Sequence, residues 1–262
     1  MKVTQTNLDN HAKILAEDVF LTDKLPHFEL LLREIRSLAN VMPSGSTVVS
    51  LERGLLYGGL SLVGPFFHAQ NFISIDCSPK SADERGDYNK NKVASEHFIR
   101  VPISKRASIE KTGLDNQCAD LVLVPNLVHH VANQSALFSE MARITKVGGK
   151  VFVFEPTLRE LHQIPDDYLR YTPYGMQNIM QQVGLKPVET KLEGGPFSAI
   201  GYCWLQALEY LPEEERGKME KWYYQEHWPL LKDLDTKYTN NLVRKHTKFP
   251  VGFSILAEKL PS

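Results

Sequence analysis

Two acids, Glu52 and Asp76, end hydrophobic segments 24 positions apart, and two glycines, Gly54 and Gly58, follow the first of them. A carboxylate at a strand end can accept hydrogen bonds from both hydroxyls of a ribose, and a charged acceptor makes strong ones. An acid about 20 residues beyond a glycine loop is the spacing of ribose-binding acids in βαβ units. Glycines there let the backbone turn tightly and approach a ligand. Asp76 has a second reading, as the cap of the turn that follows it, and short glycine matches also arise as plain turns. Farther along, Asn126 closes the segment ADLVLVPN, and His129 and His130 come soon after. A histidine titrates near neutral pH and could take a proton from a substrate hydroxyl. In the plainer alternative, His130 orients backbone around a bound ligand and His129 is partly solvated.

The elements that must position these residues follow from periodicity. Residues 7–40 read as helix, with Phe28, Leu31, Leu32, Ile35 and Leu38 on one apolar face. Pro43, Ser44 and Gly45 break it. Strands are predicted over 47–51, 71–76, 97–103, 119–124, 150–155, 185–192 and 252–258. Residues 55–70 read as a loop and then a helix, and the polar stretch 80–96 as a surface helix or connection. Helices are predicted over 134–144 and 172–183, the second with Thr172 as N-cap and Pro173 at its first position. Val147-Gly148-Gly149 reads as a turn. Strands alternating with helices predict an α/β fold, a doubly wound, mostly parallel seven-stranded sheet. The continuous apolar runs ADLVLV and KVFVFE fit strands covered on both faces. One domain is expected over 1–262, with a helical cap (1–45), a core sheet (46–193), a helical insertion (194–250), and a last strand and tail (251–262). In such sheets ligands bind beyond the carboxyl ends of the strands, where Glu52, Asp76 and Asn126 all fall.

Composition narrows the function classes. The 30 basic and 31 acidic residues nearly cancel, so no nucleic-acid partner is expected. Cys77, Cys118 and Cys203 lie far apart with no C-x-x-C pair. They predict neither a disulfide framework nor a metal site, and fit a reducing cytoplasm. The opening MKVTQTNLDNHAK lacks the apolar stretch of a secretory leader. The uncharged run 194–208 is shorter than the roughly 18 residues of a spanning helix and reads as a buried helix. The alternative is a helix lying on a membrane surface, a peripheral contact that suits a lipid-linked acceptor. The aromatics of 220–228, EKWYYQEHW, suit either the packed side of an amphipathic helix or stacking on a sugar or apolar acceptor.

From Glu52 the chain reads E-R-G-L-L-Y-G, which resembles the acid-x-G-x-G-x-G loop of the class I S-adenosylmethionine-dependent methyltransferases, with Leu56 in place of the middle glycine. NFISIDCSP resembles that family's second motif, and 119–156 resembles its fourth- and fifth-strand region without a gap. IPDDYLRYTPYGMQNIMQQVGL, at 164–185, resembles its type 11 group. The resemblance implies a Rossmann-like methyltransferase fold with S-adenosylmethionine as cofactor. It places Glu52, Gly54, Gly58, Asp76, Cys77, Ile103, Ser104 and Asn126 around that cofactor. Many relatives carry an acid near the third strand's end, where this chain offers backbone near Ile103 or the Ser104 hydroxyl. Tyr168, Arg170 and Tyr171 would shape a substrate mouth. Alternatively, the two tyrosines pack under the loop and Arg170 pairs with Asp166 or Asp167. Residues 194–211 look like a stretch in bacterial methyltransferases of surface-polysaccharide and glycolipid pathways. The expected activity is methyl transfer, mainly to oxygen, on a small-molecule or glycan- or lipid-linked acceptor. His130 and His129 are the candidate catalytic residues, although alignment of the methyl with its nucleophile supplies much of such a rate. The rival is a binding or scaffold protein that kept the fold and lost the cofactor, suggested by Leu56 and the missing acid. A nicotinamide or nucleotide-sugar enzyme is disfavoured by the absence of G-x-G-x-x-G.

Overall fold

The computed structural model describes residues 3–22, 24–78, 95–239 and 249–261. Its strands are β1 (Thr47–Glu52), β2 (Asn71–Asp76), β3 (Lys105–Arg106), β4 (Ala119–Pro125), β5 (Thr145–Pro156), β6 (Leu185–Glu193) and β7 (Gly252–Lys259). They form one seven-stranded sheet in the order β3-β2-β1-β4-β5-β7-β6. β7 runs antiparallel to β5 and β6, and the other pairs are parallel. The order turns back between β1 and β4, so the loops leaving these two strands diverge and open a crevice at their carboxyl ends.

Alternation along the strands divides the core between two faces. Val122 and Val124 of β4 point to one side, with Val151 and Val153 of β5. There they meet Leu137, Phe138 and Met141 of α3 (Gln134–Ile144) and Met176 and Met180 of α4 (Pro173–Gln182). Leu121, Leu123, Phe152 and Phe154 point the other way, onto Phe28, Leu30, Leu31 and Ile35 of α2 (His27–Val41). Each such side chain, fully buried, contributes about 1.5–3 kcal/mol. Thr172 caps α4 by accepting from the Gly175 N–H.

Several expectations change. The single helix over 7–40 is two: α1 (Gln5–Ile14), extended by a wide turn to Val19, and α2. Leu21 adopts φ +50 between them, and Pro26 starts the second because it cannot continue a helix from upstream. Residues 55–70 form two short 3-10 turns, Gly54–Tyr57 and Gly64–Phe67, instead of a loop and a full helix. Gly58 and Gly59 have φ +65 and +75, outside the helical region. The third strand is not 97–103 but the two residues of β3. Pro102 has no N–H to give a ladder and makes only an isolated bridge with Leu60. The turn at 147–149 lies inside β5: the ladder passes from Thr145 opposite Ala119 to Lys150 opposite Leu121, and the extra residues bulge. Most of the stretch 80–96 lies outside the described residues.

The insertion contains α5 (Pro196–Leu208), α6 (Glu213–Trp222) and α7 (Trp228–Leu234). Leu205, Leu208, Tyr223 and Trp228 bury one another, so the aromatic cluster of 220–228 largely serves packing. The run expected as a buried helix is half-buried, since Ile200 and Trp204 of α5 are exposed. Among the described residues no helix is long and apolar enough to cross a membrane.

His11 fastens the helical cap to the segments that flank the sheet. Its Nε2 donates to the Leu62 carbonyl at 3.1 Å, and its Nδ1 accepts from the Ile99 N–H at 3.3 Å. Burial lowers its pKa from 6.5 to about 4. Below 6.5 the unfolded chain takes up a proton that the folded chain refuses until about 4, so stability is full above that window and falls as pH drops through it. The thermal unfolding midpoint is therefore expected to fall on acidification across this range, and less steeply in His11→Gln.

Candidate functional site

Glu52 ends β1 with both carboxylate oxygens engaged. Ser61 Oγ donates to Oε1 at 2.6 Å and the Leu62 N–H to Oε2 at 3.1 Å. Burial pushes its pKa up, and the carboxylate of Asp76 adds to the rise. Asp76 lies opposite it in the parallel register, so the two acids occupy neighbouring strand tips. Asp76 Oδ1 accepts from the backbone N–H and hydroxyl of Ser78, at 2.9 and 2.5 Å. This is the turn-capping role, and neither bond uses Oδ2. Cys77 is half-buried and ties its N–H to the Glu52 carbonyl at 2.7 Å.

The chain between the tips departs from a smooth glycine loop. The 3-10 turn Gly54–Tyr57 ends at Gly58 in the left-handed region. Gly54 is pressed against Ile103: an added Cβ would lie 2.7 Å from Ile103 Cδ1 and closer still to Cγ1. Gly54→Ala is expected to destabilise the fold by about 1–3 kcal/mol through overpacking, measured as a lower midpoint in urea. Ser104 is held by Ser74, each backbone N–H donating to the other's hydroxyl at 3.0–3.1 Å.

At the tip of β4, Asn126 takes φ +61, and its N–H donates to the Phe154 carbonyl. Its buried side-chain oxygen has no hydrogen-bond partner among the described residues. A buried acceptor left in that state costs about 1–3 kcal/mol. It lines a cleft of about 510 Å³, partly open to solvent, together with Glu52, Arg53, Leu56, His130 and Gln163, and with Phe20, Phe28 and Leu31 of the helical cap.

The turn after β4 brings in the histidines. The backbone N–H groups of Val128 and His129 donate to the Glu155 carboxylate at 2.7 and 3.3 Å, and His129 Nδ1 lies 2.6 Å from its Oε2. Burial raises the Glu155 pKa to about 8 and holds His129 well below 6.5. His130 Nδ1 donates to the Asp166 carbonyl at 2.5 Å, and burial lowers its pKa also. His162, from the segment after β5, donates Nδ1–H to the Glu160 carbonyl at 3.1 Å. Tyr168 donates its backbone N–H to the His129 carbonyl and is itself half exposed. Arg170 grips Asp167 with two bonds of 2.5 and 2.9 Å. Tyr171 meets the core edge-on at Phe138.

The structure thus gathers Glu52, Asn126 and His130 on one cleft. Gly54, Gly58, Asp76, Cys77, Ile103 and Ser104 surround the strand tips beside it. His129, Arg170 and Tyr171 stand behind, as supports. Arg53, Gln163, Glu155 and His162 were not anticipated. Glu155 had a signal, being an acid at the end of the KVFVFE strand, whereas His162 had none in spacing or composition.

A family described as a methyltransferase domain matches residues 57–153. No curated protein matches the chain. Among solved structures, a candidate sarcosine dimethylglycine methyltransferase from Galdieria sulphuraria superposes with a TM-score of 0.52 at 13% identity, covering 94% of this chain and 88% of that one. A candidate methyltransferase from Haloferax volcanii, in complex with the Trm112 activator, gives 0.52 at 16%, covering 97% and 98%. The [4+2]-cyclase SpnF gives 0.50 at 14%, covering 88% and 82%. At such identities the likeness concerns the fold, and it agrees with the sheet order and the antiparallel β7. The matched segment is similar to a methyltransferase domain, and the chain shares the fold of these structures.

Proposed function

We propose that this chain transfers the methyl group of S-adenosylmethionine to an oxygen of a small-molecule or glycan- or lipid-linked acceptor. The observation that carries the reading is Asn126: an unpartnered buried oxygen on a cleft at the β1/β4 switch, with Asp76 at the next tip. The residues suit that cofactor in outline. Asp76 offers a carboxylate for ribose hydroxyls, and Gly58 and Gly59 leave open space where a Cβ would stand. When bound, the cofactor supplies an electrophilic methyl group on a sulfonium. The chain's part is to hold, orient and exclude water. His130 carries its proton on Nδ1, so its Nε2 is an acceptor for an acceptor hydroxyl. Its lowered basicity suits orientation better than full proton removal. Exposed Ile200 and Trp204, the latter 6.1 Å from Trp222, support peripheral contact with a lipid surface that presents the acceptor.

A second reading, a binding or scaffold protein that kept the fold and lost the cofactor, is favoured by Leu56, whose buried side chain lines the cleft where the family has glycine. Calorimetric titration with S-adenosylmethionine and S-adenosylhomocysteine separates the two. Saturable binding of both supports transfer. A folded protein that takes up neither leaves only the second reading.

A further inference from the structure

Three imidazoles meet behind the cleft. One ring nitrogen from each of His129, His130 and His162 lies within 4.8 Å of the others. His130 and His162 each give Nδ1–H to a backbone carbonyl, Asp166 and Glu160 respectively, and a carbonyl can only accept. Their Nε2 atoms therefore carry lone pairs. His129 Nδ1 is taken by the Glu155 carboxylate, which leaves its Nε2 facing His162 Nε2 at 3.4 Å. Two ring nitrogens held that close are joined by a shared proton or by a metal ion between them. A proton on His129 Nε2 would serve with Glu155 protonated and donating to Nδ1, or with His129 as an imidazolium donating to the Glu155 carboxylate. A metal ion serves with Glu155 as a carboxylate.

The distance favours the metal. A tetrahedral zinc ion with bonds of about 2.0–2.1 Å sets its ligand nitrogens about 3.3 Å apart, and the observed pair is at 3.4 Å. The third nitrogen lies within 4.8 Å of both. The supports are also those of a metal site, since each ligand's second nitrogen is fixed by a carboxylate or carbonyl. The charges around it are largely paired: Arg170 with Asp167, and Arg159 with Glu160 at 3.1 Å. Glu155 is left as the acid behind His129.

We propose that His129, His130 and His162 bind one divalent transition-metal ion of the class that prefers imidazole, such as zinc or cobalt, rather than magnesium or calcium. Three protein ligands leave a coordination position open. His130 lines the cleft, so an ion on its ring would stand beside that space, and the open position suits an oxygen ligand, either water or an acceptor hydroxyl. Cysteine spacing carries no hint of this, because every ligand is a histidine. An ion on His130 Nε2 would replace the direct contact proposed there with a substrate hydroxyl, and its binding is tested without the methyl donor.

Untagged full-length protein, stripped with a chelator, is titrated with Zn²⁺ and Co²⁺ by calorimetry and by the visible absorption of cobalt. One ion per chain is expected, with affinity lost by at least ~100-fold in His162→Ala and by about 10–100-fold in Glu155→Gln. X-ray absorption on the zinc-loaded wild type needs no variant, and should count three imidazole neighbours. Wild-type protein that binds no ion, binding indifferent to His162→Ala, or fewer than two imidazoles around the zinc would each overturn the assignment.

Discussion

Asp76→Ala is expected to weaken binding of S-adenosylhomocysteine by about 100-fold while the sheet remains intact. A charged hydrogen bond contributes about 1.5–3 kcal/mol, and about 1.4 kcal/mol is tenfold in affinity. Two bonds from one carboxylate to a ribose, partly offset by water entering the space, amount to about 3 kcal/mol on that scale. The acid also caps the turn at Ser78, so a purely structural role would lower the unfolding midpoint and leave affinity alone. Asp76→Asn separates these roles, because an amide oxygen still accepts from the Ser78 N–H but carries no charge. It is expected to keep the midpoint and lose about tenfold in affinity, the value of one charge-assisted bond. Calorimetry and thermal unfolding on the same three proteins provide the comparison. An unchanged affinity in Asp76→Ala would remove this residue from the cofactor site.

The largest loss of stability is expected from Glu155→Ala. Its carboxylate is buried and meets the N–H groups of Val128 and His129 and the ring of His129. Removing it strands three polar groups away from water. Each costs about 1–3 kcal/mol when unmet, and together about 3–5 kcal/mol is expected after relaxation. A chain of this size loses about 2–4 °C of midpoint per kcal/mol, so a fall of about 6–20 °C should appear by calorimetry. Glu155→Gln keeps one acceptor and should recover about half of that. A midpoint within a degree or two of wild type for Glu155→Ala would show that this acid does not hold the turn.

The alternation of apolar strands and amphipathic helices was legible because each face of the sheet imposes its own periodicity. The expectations for 119–124, 185–192 and 252–258 fall within a residue of the observed strands. Legibility failed where other forces decide. Residues 97–103 have strand-like composition, but Pro102 and the Ser74–Ser104 exchange leave pairing only to Lys105 and Arg106. In 55–70 the apolar residues suggest a helix, yet two left-handed glycines and Pro65 confine it to single turns. For the site, Glu52, Asp76 and Asn126 were readable because strand ends are readable. The meeting of His162 with His129 was not, because 33 residues and a sheet strand separate them, and only the fold closes that gap.

The placement of β7 constrains how the chain can be made. β7 is the last strand in sequence, yet it lies between β5 and β6 and bonds to both along its length. During synthesis from the amino terminus, β6 has no neighbour to join until residues 252–259 have emerged. The β1–β5 half can assemble earlier, with one flank of β5 left bare. An exposed strand flank of this kind invites pairing with a second copy. A ribosome stalled shortly before residue 252 would therefore hold a nascent chain prone to self-association, and release of the final strand would cure it.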